Sequence, residues 1–169
     1  GVEQLEPGTE CQHGTFVPPT LVMLDAVADL EREVFGPVLH IVRYRRDELD
    51  GLIDAINAKG YGLTFGVHTR LDGLVSHIVE RLCAGNIYVN RNMIGAVVGM
   101  QPFGGEGLSG TGPKAGGPLY LWRLVEGGLP ALPPEYAAVR DGLCETALPA
   151  PAGEANTYRL APMVVGGFP

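Results

Sequence analysis

Residues 101–117, QPFGGEGLSGTGPKAGG, place seven glycines in seventeen positions directly after the apolar run IGAVVGM at 94–100. Glycine gives up more conformational freedom on folding than any other residue. Its concentration therefore marks a shaped loop, where the backbone takes positive φ or lets another molecule reach the main chain. The chemistry such a loop offers is that of bare amides. Gly105, Gly107 and Gly110 satisfy G-x-G-x-x-G, the pattern of a dinucleotide-binding turn. That turn needs a strand before it and a helix opening after it, so that a pyrophosphate rests on the helix N-terminus. Pro113, Gly116, Gly117 and Pro118 follow instead, and none favours a helix interior. Thr111, not lysine, follows Gly110, which argues against a P-loop. Ser109 has neither a G-x-S-x-G elbow nor a paired His and Asp around it, so it does not read as a nucleophile.

The thiols and imidazoles do not assemble into a site. Cys11, Cys83 and Cys144 are widely spaced with no C-x-x-C pair, so neither a zinc site nor a disulfide framework is indicated. Reduced cytosol is the simplest setting for them. Cys83 follows Leu82 at what reads as a helix end, where the expected role is that of a small buried hydrophobe. His13, His40, His68 and His77 contain no i, i+4 pair. A lone histidine in an apolar strand such as LHIVRY reads as a packed residue before it reads as a ligand or base.

Three segments in order carry a family resemblance. EREVFGPV at 31–38, AGNIYVNRN at 84–92 and QPFGGEGLSGTG at 101–112 resemble the E-[IV]-F-G-P-V, A-G-x-x-x-V-N and P-F-G-G-x-x-x-S-G-x-G segments of the aldehyde dehydrogenase superfamily. HGTFVPPTL, YGLTFGVHTR, NRNMIGAVVG and GPKAGGPLYLWRLV narrow the likeness. They resemble the glutamate-semialdehyde (pyrroline-5-carboxylate) dehydrogenase domain of the bacterial bifunctional proline utilization enzymes. The resemblance covers residues 13–125, with a weaker echo at 149–162, PAPAGEANTYRLAP.

By that resemblance Glu33 takes the role of the carboxylate that holds the nicotinamide ribose of NAD. Two acceptor oxygens suit two vicinal hydroxyls, and ionised acceptors make the stronger hydrogen bonds. The competing reading is a solvated charge beside Glu31 and Arg32. Phe35 then lies near the nicotinamide, or serves in core packing, and Gly36 and Pro37 set the turn into the next strand. The resemblance also implies that Gly95 and Ala96 offer backbone amides to the substrate's α-carboxylate, as an anion nest. Some relatives carry serine where this chain has Ala96, so a side-chain hydroxyl is lacking there. Phe103 would pack against the aliphatic part of the substrate, or plug the base of the loop.

Oxidising an aldehyde through a thioester requires a nucleophilic cysteine, a base, an oxyanion donor and a nucleotide-binding fold. The family places all of these before E-V-F-G-P. Only 32 residues precede Glu33, and GTECQHG around Cys11 does not resemble the nucleophile segment. The expectation is therefore a C-terminal piece of an NAD-dependent dehydrogenase with no catalytic residue of its own, inactive alone. Its intact protein would carry upstream dehydrogenase sequence, with or without a proline dehydrogenase domain, and assemble as a homo-oligomer. The alternative is a non-catalytic truncated module with a structural or oligomerisation role.

The elements that must position these residues alternate. TFVPPTLVML at 15–24 is β-rich but interrupted by Pro18 and Pro19, which suits an edge or a bend. LHIVRY at 39–44 reads as a strand. Leu49, Leu52, Ile53 and Ile56 fall on one face of a helix within 47–60, which Gly60 can end. LTFGVHT at 63–69 is the next strand. Leu71, Leu74, Val75, Ile78, Val79 and Leu82 repeat the helical spacing over 71–85, and NIYVN at 86–90 is a further strand. Two successive strand–helix–strand units imply parallel pairing. The fold class is α/β, a parallel-sheet C-terminal portion of a dehydrogenase catalytic domain over 1–125. The glycine loop leaves the C-terminal end of its last strand, where ligands of open α/β sheets bind. Residues 126–169, rich in Pro, Gly and Ala with no sustained period, read as an irregular linker or extension.

Composition bounds the partners. A formal charge of −7, with 46% hydrophobic and 18% charged residues, fits a globular cytoplasmic enzyme. It argues against a nucleic-acid surface, which needs clustered cations. The single basic cluster, Arg43, Arg45 and Arg46, is diluted at once by Asp47, Glu48 and Asp50. No apolar run reaches membrane-spanning length, and residues 1–15 lack the regions of a signal peptide.

Overall fold

The computed structural model describes residues 1–6, 8–110, 112–127 and 144–160. The chain opens with β1 (Val2–Gln4), antiparallel to β2 (Thr20–Leu24), which in turn runs parallel to β3 (Val38–Val42) with Thr20 opposite Val38 and Leu24 opposite Val42. β2 begins directly after Pro18 and Pro19, as the lack of two N–H donors requires. The Pro19 carbonyl still accepts from Leu5 N at 3.0 Å. Parallel neighbours need a crossover of about a dozen residues or more. Here the crossover is 25–37, which holds a 3-10 turn at Val27–Asp29 and no α-helix.

Helix α1 (Leu49–Asn57) and helix α2 (Asp72–Arg81) turn the apolar stripes their spacing predicts toward a common core, except Leu71, which precedes α2 and is 52% exposed. Ile53, Val67, Ile78 and Leu82 form the buried centre, with Leu49, Ile56, Phe65, Leu74, Val75, Ala84 and Ile87 packed around it. Ile53 is only 2% exposed, and burial of such a side chain is worth about 1.5–3 kcal/mol. Gly60 ends the first helix as expected: Ala58 closes α1, and Gly60 takes φ +74° while donating to Asn57 O at 3.0 Å. The end of α2 is satisfied from outside. The Asn57 side chain donates to Arg81 O at 2.8 Å and accepts from Cys83 N at 2.9 Å. Cys83 itself is exposed, so the expectation of a buried cysteine is corrected: the chain leaves the helix there with Leu82, not Cys83, turned into the core.

β5 (Thr64–Val67) and β6 (Asn86–Val89) pair in parallel across α2, with Thr64 opposite Asn86 and Val67 opposite Val89. This is the second of the two expected units. The first differs, because β3 and β5 are not hydrogen-bonded neighbours. After α1 the chain is engaged by β4 (Tyr61–Gly62), which pairs antiparallel with β7 (Glu106–Gly107) from the glycine segment. Periodicity shows where strands lie, but pairing depends on which distant backbone reaches the edge first.

The region read as an irregular extension contains regular structure. β8 (Cys144–Leu148) and β9 (Asn156–Leu160) form an antiparallel hairpin around Tyr158, with Leu148 and Leu160 against its ring. Alternating Asn156, Tyr158 and Leu160 gives the period-two pattern of such a strand. Residues 128–143 and 161–169 of that segment lie outside the described residues. Among the described residues no helix is long and apolar enough to cross a membrane, and no cluster of three His, Cys, Asp or Glu side chains could hold a metal ion.

Candidate functional site

Asn90 turns the chain out of β6. It is a non-glycine residue with φ +55°, a region asparagine tolerates better than most residues. Its backbone N–H donates to Val67 O at 2.8 Å, while its side chain accepts from Thr69 N at 3.0 Å and donates to Thr69 O at 2.9 Å. The parallel ladder thus closes on a side chain, and the loop 91–101 leaves the C-terminal end of β6.

Within that loop Gly95 and Ala96 are half-buried, Ile94 is 91% exposed and Val98 97% exposed. The N–H groups of Ile94 and Val97 are taken: the first donates to Asn92 Oδ1 at 3.4 Å, the second to Gln101 Oε1 at 2.8 Å. Those of Gly95 and Ala96, between them, donate to no described residue. Two successive unpaired amides are the raw material of an anion site.

The glycine segment that follows uses its main chain differently from the expectation of free amides. Phe103 N donates to Ala115 O at 3.0 Å and Ala115 N returns to Phe103 O at 2.9 Å. Gly104 N donates to Asn86 Oδ1, Leu108 N to Gly60 O and Ser109 N to Glu106 O. The glycines let main chain pack on main chain. A Cβ on Gly85 would collide with the Gly104 carbonyl, and one on Gly105 would lie 2.6 Å from Ser109 O. Ser109 Oγ accepts from Gly62 N at 3.1 Å, a structural post that agrees with rejecting it as a nucleophile. Lys114 crosses the same ground to donate to Gly85 O. Burial pushes its ammonium below the usual lysine range, with Glu106 opposing. Phe103 stands half-buried at the junction of the two loops.

Glu33 and Phe35 lie in the β2–β3 crossover, ahead of β3. Phe35 is 89% exposed. The Glu33 carboxylate is exposed, with no hydrogen-bond or ion-pair partner among the described residues. Gly36 takes φ +124°, and Pro37 O accepts from Thr20 N at 2.8 Å, which seats the crossover on β2. The structure therefore gathers Gly95, Ala96 and Phe103 on consecutive loops after β6. It places Glu33 and Phe35 in the crossover of a different sheet, and no hydrogen bond or ion pair joins the two groups among the described residues. Two surface hollows, one lined by Tyr44, Asp50, Leu74 and His77 and one by His68, Thr69, Arg70 and Asn90, include none of the five.

Sequence reasoning missed the polar residues that support the loops. Asn86 holds Gly104 N and donates to Pro102 O at 2.9 Å. The Arg91 guanidinium sits 5.2 Å from the centre of the Tyr88 ring, and burial raises the Tyr88 phenol against the pull of Arg91's charge. The available signal was three asparagines at 86, 90 and 92 in a strand-and-turn context, since asparagine there tends to bond to backbone. His77, read as solitary, meets Asp50 at 2.6 Å across the two helices.

The model of the aldehyde dehydrogenase family matches residues 1–126. The bifunctional protein PutA of Rhizobium meliloti is 63% identical over 138 residues, which is 82% of this chain and 11% of that protein. The 1-pyrroline-5-carboxylate dehydrogenase of Bacillus subtilis is 42% identical over 110 residues, 64% of this chain and 21% of that protein. Among solved structures, a mutant of Bradyrhizobium japonicum proline utilization A aligns with TM-score 0.63 at 60% identity over 64% of this chain and 11% of its own. The Thermus 1-pyrroline-5-carboxylate dehydrogenase with bound NAD aligns with TM-score 0.58 at 35% identity over 68% of this chain and 21% of its own. The chain thus spans about a tenth of the bifunctional relatives. By the match over 1–126, the chain belongs to the aldehyde dehydrogenase family.

Proposed function

We propose that this chain is the C-terminal part of an NAD-dependent L-glutamate-γ-semialdehyde dehydrogenase, acting in proline catabolism in the cytoplasm. In this reading its own residues hold the two ends of the reaction, and the nucleophilic cysteine and general base belong to preceding sequence. The observation that carries the reading is the pair of amides at Gly95 and Ala96 that have no partner among the described residues. An α-carboxylate far from the aldehyde needs donors that are fixed and not already engaged, and the loop after β6 supplies them. The likeness to PutA and to 1-pyrroline-5-carboxylate dehydrogenases supports the choice of substrate.

The fit to NAD rests on Glu33. Its carboxylate has no partner among the described residues and stands exposed, so both oxygens are available to vicinal ribose hydroxyls. Phe35, bare to solvent at its side, offers a flat apolar face that limits where the nicotinamide can lie. Held by Glu33 and Phe35, NAD would supply the hydride acceptor for the oxidation. Phe103, anchored to Ala115 at the base of the loop, offers its ring to the substrate's methylene groups.

The test is to express the full coding sequence that contains this chain, add glutamate semialdehyde and NAD, and follow NADH absorbance. Steady turnover by the full protein and none by residues 1–169 alone is the expected pair of results. Turnover by this chain alone would overturn the assignment of the nucleophile to preceding sequence; silence from the full protein would overturn the activity.

A further inference from the structure

The loop bearing Gly95 and Ala96 is closed at both stems by one short stretch of the C-terminal hairpin. At the first stem, Arg91 donates from its terminal nitrogen to Glu154 Oε2 at 2.7 Å, with 24% and 34% of the two side chains exposed. At the second, Gln101 Nε2 donates to Asn156 Oδ1 at 3.1 Å. Glu154 and Asn156 are two residues apart, and Arg91 and Gln101 are ten apart, so the hairpin spans the mouth of the loop.

The second stem is a directional relay. Val97 N–H can only donate, and it meets Gln101 Oε1 at 2.8 Å. Gln101 must then present its amino group outward, to Asn156 Oδ1, and Asn156 passes its own amino group to Pro149 O at 2.8 Å. A donor at one end and a carbonyl at the other leave a single orientation for both amides. The Val97 amide, immediately after the two free ones, is thereby fixed from outside the dehydrogenase segment. Hydrogen bonds in such a chain reinforce one another, and the group at the middle cannot turn without breaking two.

We propose that Glu154 and Asn156 are positioning residues: the segment 149–156 clasps the stems of loop 91–101 and holds the Gly95 and Ala96 amides in the geometry that receives the substrate carboxylate. The proposal rests on the reading of that loop as the carboxylate anchor. It adds that a stretch outside the dehydrogenase segment sets the preference for carboxylate-bearing aldehydes. Glu154 and Asn156 do not touch substrate; they act through Arg91 and Gln101.

The experiment compares the full-length protein with its Asn156→Ala variant on glutamate semialdehyde and on propanal, which lacks the carboxylate. Loss of one partly buried link in the relay raises KM for the semialdehyde about tenfold. KM for propanal and for NAD stays within about twofold of the parent, the scatter expected of distant sites. Equal rises for both aldehydes, or no rise for either, would overturn the clasp. Amide hydrogen exchange across 92–101 gives a readout that does not depend on turnover: exchange quickens in the variant if the clasp holds the loop and is unchanged if it does not. A parent protein that oxidises no semialdehyde sinks the proposed activity, while the exchange result still decides the clasp. Should Asn156→Ala fail to fold, Glu154→Gln, at the more open stem, carries the same comparison.

Discussion

Gly85 lies so close to the carbonyl of Gly104 that no side chain fits between them. This contact sets the entrance to β6 directly against the glycine segment, and the neighbouring Asn86 side chain and Lys114 ammonium reinforce it. The two loops that follow β6 are thus referred to one backbone junction. Gly85→Ala must push that junction apart. The expected cost is about 1–3 kcal/mol, the usual range for overpacking. Thermal melting of the full-length protein measures it, together with a loss of semialdehyde turnover greater than the loss of stability accounts for.

Glu33→Ala removes a carboxylate that makes no hydrogen bond or ion pair among the described residues. The melting temperature should therefore be unchanged, while KM for NAD rises about tenfold through loss of charge-assisted hydrogen bonds. Unchanged kinetics with reduced stability would assign Glu33 to a plain surface role.

Ser109→Ala separates structure from chemistry in the other direction. The variant leaves Gly62 N without its acceptor, which lowers stability by about 1 kcal/mol. kcat for the semialdehyde should stay at the parent value. A fall of several orders in kcat would restore the serine as a reacting group.

Asn57→Ala deletes both bonds by which α1 terminates α2. Two orphaned backbone groups, Arg81 O and Cys83 N, then cost about 1–3 kcal/mol. Chemical denaturation should show the loss without any change in KM for either substrate, because both bonds join α1 to the end of α2 and use no residue of loop 91–101.

Asp50 links the same helices through charge. The hydrogen bond from His77 holds its carboxyl below the ordinary value of 3.8, desolvation opposes, and the Arg81 charge adds to the lowering. A depressed carboxylate pKa contributes stability that is complete above the ordinary pKa and is lost as pH falls through the lowered one. Asp50→Asn should therefore melt slightly below the parent at neutral pH, and the two should converge in strong acid. The group is exposed, so the difference is small and shrinks with added salt. Acid titration of helical circular dichroism at two salt concentrations checks both points.

The sequence by itself determined the family and the local elements. Apolar residues at helical spacing place α1 and α2, glycine and proline mark their ends, and the three ordered segments around Glu33, Asn86 and Phe103 suffice for kinship, because each of these is written in neighbouring residues. What only the tertiary structure decided are the partnerships between distant ones: β4 with β7 in place of a β3–β5 pair, amides of the glycine segment turned inward against Gly60 and Ala115, Gly95 and Ala96 left without a partner among the described residues, and a hairpin in the C-terminal extension reaching Arg91 and Gln101. A backbone donor looks the same in the sequence whether it is satisfied or free. Its state depends on what the rest of the chain brings within about 3 Å, and one-dimensional spacing holds no record of that.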